Sequence, residues 1–335
     1  MPSVLFVSND ENDPCTRYRG LAYFDRLRLA GWVPMHLVAE PGWPQRYGIL
    51  RQAKTCDVVV VLRKTFTSPF RLLLRRASRR LVLDIDDAVY VCDDGRTSRT
   101  RARRFVSMAQ CCDAIFVGND FLGREARRHN RQVITLPTSI DPDRYTAFPA
   151  NHESEAINLV WIGSRATRRY LESLRPVLEE AARSMPALRL KVIADFNFNV
   201  PGLPVINVPW SQSTEVAALA SAHIGLAPLP EDAWTRGKCG LKILQYMGAG
   251  LPVVASPTGE QKQIIRDGET GILCETRDEW RGAIFLLAYD VEKRRRFGTA
   301  GRRRVREGYD VSITSMHLER ALRELREGEA IMTTA

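Results

Sequence analysis

The 335-residue sequence contains no C-x-x-C pair. Its seven cysteines, at positions 15, 56, 92, 111, 112, 239 and 274, are odd in number and scattered, which argues against a disulfide framework and against a zinc site. It also lacks any G-x-G-x-x-G, the phosphate-binding turn of dinucleotide enzymes. Apolar runs such as Val58–Leu62 are strand-sized and far short of the ~18 residues that a membrane helix requires. Helical repeats and low-complexity tracts are missing as well. No strand interleaves aromatic with basic residues and no helix-turn-helix pattern occurs, so no nucleic-acid partner is expected. The opening MPSVLFVSND has no basic region and no small-residue cleavage site; it reads as the first strand of a cytoplasmic chain.

What the chain does have is positive charge. Its 49 Lys and Arg outnumber 39 Asp and Glu, for a net charge of +10. Such an excess suits phosphorylated small molecules, anionic lipid or nucleic acid, and charge alone does not choose among them. The arginines concentrate at 71–80, 99–104 and 292–307, each read as a helix with a solvated basic face. A length beyond one ordinary core, with 44% hydrophobic and 26% charged residues, leads to the expectation of two globular domains.

Short β-branched runs alternate with helical stretches from the start. Strands are expected at 4–8, 35–39, 57–62, 80–86, 114–118 and 133–137, with helices near 18–31, 45–54, 68–79, 98–111 and 120–129 between them. Continuous apolar strands separated by helices mean a parallel sheet covered on both faces. The stretch 137–156, rich in Pro, Asp, Asn and Ser, reads as a linker. A second alternation follows, with strands at 158–163, 189–195, 204–210, 223–229 and 252–256, helices near 167–184, 212–221 and 239–249, and further helices beyond 275. The expected architecture is therefore α/β, with two tandem doubly wound Rossmann-like domains, 1–150 and 151–310, facing each other across a cleft. A C-terminal helix and tail, 311–335, is expected to pack back toward the first domain.

The most informative segment is 230–260. It couples a helix to the following strand, and along that helix Lys238, Lys242, Gln245 and Ala249 share one face while Ile243, Leu244 and Met247 lie toward another. Lys238 then lies near the helix start, where unpaired N–H groups and the positive dipole end favour an anion such as a diphosphate. Glycines at 237, 240, 248 and 250 allow close backbone approach. The plainer alternative is a solvated lysine face.

LKILQYMGAGLPVVASPTG followed by IIRDGETGILC resembles the retaining glycosyltransferases of family 4, which have the GT-B fold and typically show KLLEYMAAGKPVVAS and then DGxTGxL. In the N-terminal half the likeness rests on the strand order, on AIFVGNDFLGREA and on LPTSIDPDRY. The family's paired glutamates, with seven residues between them, fall here on Gly237 and Gln245. Gln245 retains the capacity to bond a ribose hydroxyl, and Glu231 and Asp232 stand just upstream of the missing first carboxylate. Where the family has a basic pair after the first strand of the second domain, this chain offers Gly163, Ser164, Arg165 and Thr167. Thr258 and Gly259 complete the donor side, and Trp210 is a candidate to stack on the nucleobase or else to pack between domains. Asp86 and Asp87, in LDIDDAVY, stand where relatives carry residues near the transferred sugar; the plainer alternative is that one of Asp84, Asp86 and Asp87 only caps the next element. The D-x-D spacing also matches a metal motif of the other large glycosyltransferase fold, an architecture unlike this one. Arg17 and Arg19, in the long polar turn 9–20, are placed on the acceptor side.

The resemblance implies transfer of a sugar from a nucleoside-diphosphate sugar to a saccharide, lipid-linked or protein acceptor, with retention and without metal or cofactor, and with Lys242 beside the departing diphosphate. A nucleotide-sugar 2-epimerase of the same fold is the first rival, and a basic nucleic-acid-binding protein the second. The arginine-rich stretches at 71–80 and 99–104, with leucines and Phe105 among the charges, lead to the further expectation of a peripheral enzyme at the cytoplasmic face of an anionic membrane.

Overall fold

The computed structural model describes residues 1–40, 42–146 and 156–328. By internal contacts the chain divides into two units: one comprises Met1–Ser139, Asp232–Cys239 and the segment from Val311, and the other comprises Ile140–Glu231 and Gly240–Asp310. The first boundary thus falls at Ser139, ahead of residue 150. The stretch read as linker is only partly connecting chain, because Pro142–Thr146 forms a short helix of the second unit. Residues 147–155 lie outside the described residues.

In the first unit the strands β1 (Ser3–Ser8), β2 (Val33–Val38), β3 (Val58–Leu62), β4 (Arg80–Ile85), β5 (Ala114–Val117) and β6 (Val133–Thr135) form one parallel sheet in the order β2-β1-β3-β4-β5-β6. Alternate side chains fill two cores, as the two-residue period of a strand requires. Leu5, Val7, Val59, Val61, Leu81 and Leu83 face Ile49, Phe70, Leu74, Phe105 and Met108 from three helices. On the opposite face Val4, Phe6, Val58, Val60 and Val82 pack with Tyr23, Leu27 and the C-terminal helix Val311–Glu327, which contributes Val311, Leu318, Leu322 and Leu325. That helix is fastened by Trp32 Nε1 donating to Glu319 at 3.2 Å and by Arg80 Nε donating to the Leu325 carbonyl at 2.7 Å.

The long polar turn expected at 9–20 is half helix. Asp13 accepts from Cys15 N at 3.0 Å, Pro14 takes the first helical position, and Pro14–Arg19 follows before Gly20 interrupts it.

The second unit repeats the plan with β7 (Ile157–Ile162), β8 (Leu188–Ala194), β9 (Val205–Pro209), β10 (Ile224–Ala227), β11 (Val253–Ala255) and β12 (Gly271–Leu273), all parallel, in the order β12-β11-β10-β7-β8-β9. The sequence reading missed β12, whose three residues between a turn and a helix carry no usable period. The helix expected at 167–184 is broken into Arg168–Glu172 and Arg175–Ser184, with Pro176 in the first turn of the second piece. Each sheet reverses its winding once, between β1 and β3 in the first unit and between β7 and β10 in the second. Ligands of open α/β sheets bind at the carboxyl ends of strands beside such reversals.

Candidate active site

In the second unit, β7 ends at the reversal point and the chain turns at Gly163. A Cβ there would stand 2.2 Å from Trp161 Cη2 and 2.7 Å from Thr167 Oγ1, so only glycine fits. Gly163→Ala is therefore expected to cost about 1–3 kcal/mol, the usual penalty of overpacking, read as a lowered thermal midpoint. Ser164 and Thr167 cap each other, Ser164 N donating to Thr167 Oγ1 at 3.1 Å. The exposed Arg165 is turned toward Asp195, to which its backbone N–H donates at 2.7 Å.

The helix Leu241–Gly248 starts from Gly240, whose φ of 70° and contact with Ile264, 2.3 Å from a built Cβ, exclude other residues. Lys242 lies in its first turn, at the positive end of the helix dipole, and its Nζ sits 4.2 Å from the Trp161 ring centroid. Trp161 thereby joins Gly163 and Lys242 into one constellation. Gln245, three residues on, is 4% exposed. Tyr246 anchors the helix across the reversal point: its hydroxyl accepts from Ile162 N at 3.0 Å and donates to the Leu226 carbonyl at 3.2 Å. Burial raises its pKa. Thr258, buried after β11, donates to the Leu229 carbonyl at 3.0 Å, and Gly259 follows with a φ of 53°. The half-buried Trp210 donates from Nε1 to Glu215 at 2.9 Å.

Lys238 does not share that helix. It precedes Gly240 in extended backbone, within the Asp232–Cys239 segment that clusters with the first unit, and its Nζ pairs with Asp87 at 3.0 Å. The helical reading failed because Gly240 starts the helix after, not before, the lysine. Asp232, expected on the donor side, caps this segment's own turn, with Oδ1 accepting from Trp234 N and Thr235 N at 2.8 Å each. At Gly237, where the resemblance calls for a glutamate, a Cβ would stand 2.7 Å from Ala88 N, so no side chain fits.

In the first unit the three aspartates of LDIDD part company. Asp84, inside β4, is no cap: Arg19 grips it with Nε at 2.6 Å and Nη2 at 2.8 Å and also donates to the Leu136 carbonyl at 2.8 Å. Both side chains are almost fully buried, at 1% and 4% exposure. Burial pushes the Asp84 carboxyl up and Arg19 opposes it. Arg19 is thus a structural cation, not an acceptor-side one, and Arg17 is buried at 8% with its guanidinium 5.1 Å from the Tyr18 ring. Arg19 was misplaced because the turn that carries it is a helix packed into the unit.

Asp86 and Asp87 follow β4 at its carboxyl end. Asp87 accepts from Arg63 Nη1 at 2.8 Å as well as from Lys238, and Arg63 Nη2 pairs with Asp13. Burial opposes the charge on Arg63, but Asp86, Asp87 and Asp13 outweigh it and raise its pKa. Asn119, after β5, accepts from Leu122 N at 2.9 Å and donates from Nδ2 to the Gly237 carbonyl at 3.2 Å. Arg63, Asp13 and Asn119 escaped the sequence reading. The signal available was their position just beyond β3, β1 and β5. Among the described residues no group of three or more His, Cys, Asp or Glu is placed to hold a metal ion.

Residues 197–288 match the family model described as glycosyl transferases group 1. The sulfoquinovosyl transferase SQD2 of Arabidopsis thaliana is 28% identical over 173 residues, covering 48% of this chain; the match spans only 32% of that relative. Among solved structures, HepE of Anabaena in complex with UDP and glucose aligns with a TM-score of 0.69 at 13% identity, covering 95% of this chain and 98% of that one. Sucrose-phosphate synthase from Thermosynechococcus elongatus aligns with a TM-score of 0.71 at 14% identity, covering 98% and 100%. The chain has the GT-B fold, and the glycosyl transferases group 1 match lies mostly in its second unit, with Asp232–Cys239 of the first.

Proposed function

We propose that this protein is a glycosyltransferase that moves a sugar from a nucleoside-diphosphate sugar to an acceptor hydroxyl. The observation that carries the reading is Lys242, a cation in the first turn of a helix, seated on Trp161 at the reversal point of the second sheet, inside the segment that matches the glycosyl transferases group 1 model. In the reaction the bond from the anomeric carbon to the diphosphate oxygen breaks and a bond to the acceptor oxygen forms. Lys242 and the positive end of its helix meet the charge that develops on the departing diphosphate. Gln245, Thr258 and Gly259 belong to the donor side, with Asp86 and Asp87 on the sugar or acceptor. The likeness to family 4 supports retention, by front-face attack in which a donor phosphate oxygen takes the acceptor proton.

The test is a thermal-shift panel of UDP, GDP and ADP with their sugars. At one hundred times its Kd the correct ligand is expected to stabilise the fold by about 2.7 kcal/mol. Because HepE has been solved with UDP and with UDP-glucose, the uridine compounds come first. No shift from any nucleotide would remove the reading.

A second reading concerns where the enzyme works, namely on an anionic membrane surface. Three neighbouring helices of the first unit, Trp43–Ala53, Ser68–Ala77 and Arg99–Cys111, expose Trp43 (61%), Tyr47 (68%) and Leu72 (57%) beside Arg76, Arg99, Arg103 and Arg104. Arg46 lies over the Phe70 ring at 5.4 Å and Arg71 donates to the Ser107 carbonyl at 2.9 Å, which links the three. Phe105, read from the sequence as a lipid-facing residue, is fully buried and takes no part. Among the described residues no helix is long and apolar enough to cross a membrane. The patch is expected to bind anionic vesicles at about 1 kcal/mol per basic residue near the headgroups and to lose them as salt rises. Failure to cosediment with phosphatidylglycerol vesicles at low salt would end this reading and leave the transferase intact.

A further inference from the structure

Asp13, Asp86 and Asp87 come from two different strand-to-helix connections, and one guanidinium from a third holds them. Arg63 directly follows β3 and stands within the first unit. Its Nη2 pairs with Asp13, its Nη1 donates to Asp87 at 2.8 Å, and the same nitrogen stands 3.9 Å from Asp86. Lys238 adds a second cation on Asp87 at 3.0 Å. Asp86 differs from the other two, because its Oδ1 is buried and accepts no hydrogen bond. A carboxylate oxygen withdrawn from water with no donor is costly, and a hydrogen-bond donor such as a ligand hydroxyl relieves that cost.

The backbone of Arg63 carries a second observation. Its φ is 53°, the one positive value at a non-glycine residue among those described. An arginine persists in this region only where its surroundings over-determine it. Here the surroundings are the carboxylates and a hydrogen bond from Arg63 N to the Asp84 carbonyl at 2.7 Å.

We propose that Arg63 is a positioning residue: it draws Asp13 and Asp87 onto its guanidinium so that Asp86 alone of the three keeps a carboxylate oxygen without a hydrogen-bond donor, to be met by a sugar hydroxyl. The identity of that hydroxyl rests on the glycosyltransferase reading above.

The test is Arg63→Gly in the full-length protein. Glycine takes the positive φ without strain, so the backbone stays while the guanidinium is removed. The activity probe is whichever of UDP-glucose, UDP-N-acetylglucosamine, GDP-mannose and ADP-glucose gives the largest thermal shift. The variant is expected to lose kcat by about a hundredfold, as misplaced catalytic groups do, with the donor KM little changed. Guanidinium chloride at tens of millimolar restores part of the loss and ammonium chloride does not. Arg63→Lys, which keeps the charge without the fork, recovers little.

A second measurement needs no turnover. Arg63→Gly is expected to lower Tm, because the guanidinium that ties Asp13 to Asp87 is gone, and guanidinium chloride at tens of millimolar, but not ammonium chloride, is expected to restore part of that loss. A variant that keeps kcat within about threefold overturns the proposal, as does a loss of kcat or Tm that guanidinium does not relieve. If the wild type turns over no donor, the sugar reading fails and the guanidinium response of the Tm decides the positioning role by itself.

Discussion

Replacing Lys242 by alanine is expected to lower nucleotide-sugar turnover by about a hundredfold or more, the usual loss when one group aimed at developing charge is removed. The side chain is partly exposed and its ring contact with Trp161 is at the surface of the core, so the thermal midpoint should move little. Donor binding should weaken less than turnover, because the charge on the diphosphate grows as its bond to the sugar breaks. Steady-state kinetics on the purified variant, with a thermal melt as the control for folding, separates the two effects. Turnover near that of wild type would leave the diphosphate without its principal cation and remove the mechanism.

The largest effect on stability is expected at the other end of the molecule's chemistry, in the Arg19–Asp84 pair. Asp84→Ala leaves a guanidinium at 1% exposure with one carbonyl partner, Leu136, and only the weaker pull of Asp86 as counter-charge. Removing one member of a buried ion pair costs about 3–5 kcal/mol, since the remaining charge stays out of water. Replacing both, Arg19→Met with Asp84→Leu, is expected to recover most of that loss, because an apolar pair of similar size removes both desolvation costs. Denaturant midpoints of the two variants measure this. Equal destabilisation by the single and the double variant would mean that the guanidinium's bond to Leu136, not the ion pair, holds this corner of the unit.

Much of the fold was legible because parallel strands buried on both faces leave an unmistakable trace. VVVVL at 58–62 is β3, and among the described residues eleven of the twelve strands fall within a few residues of their expected places. What stayed hidden was short or depended on partners. β12 is three residues long, and the interruption at Gly240 that takes Lys238 off its helix is visible only once Ile264 is seen against it. The arginines show the same limit. Arg19 and Arg63 are alike in sequence, each a basic residue in the connection that follows a strand. Asp84 turns the first into a buried strut, while Asp13 and Asp87 turn the second into part of a candidate site. Pairings at sequence separations of 65 and 24 residues cannot be read from local pattern. The glycine at 237 was read as a missing glutamate; Ala88, packed where its Cβ would be, is the reason no side chain stands there.

The central claim, sugar transfer from a nucleoside diphosphate, is tested most directly by incubating the wild-type protein with the nucleotide sugar selected by thermal shift and following both products by chromatography. The account predicts release of the nucleoside diphosphate together with a free or transferred sugar, at a rate that Lys242→Ala reduces by about a hundredfold. Recovery of an epimerised nucleotide sugar, or of the donor unchanged with every acceptor class supplied, would contradict it.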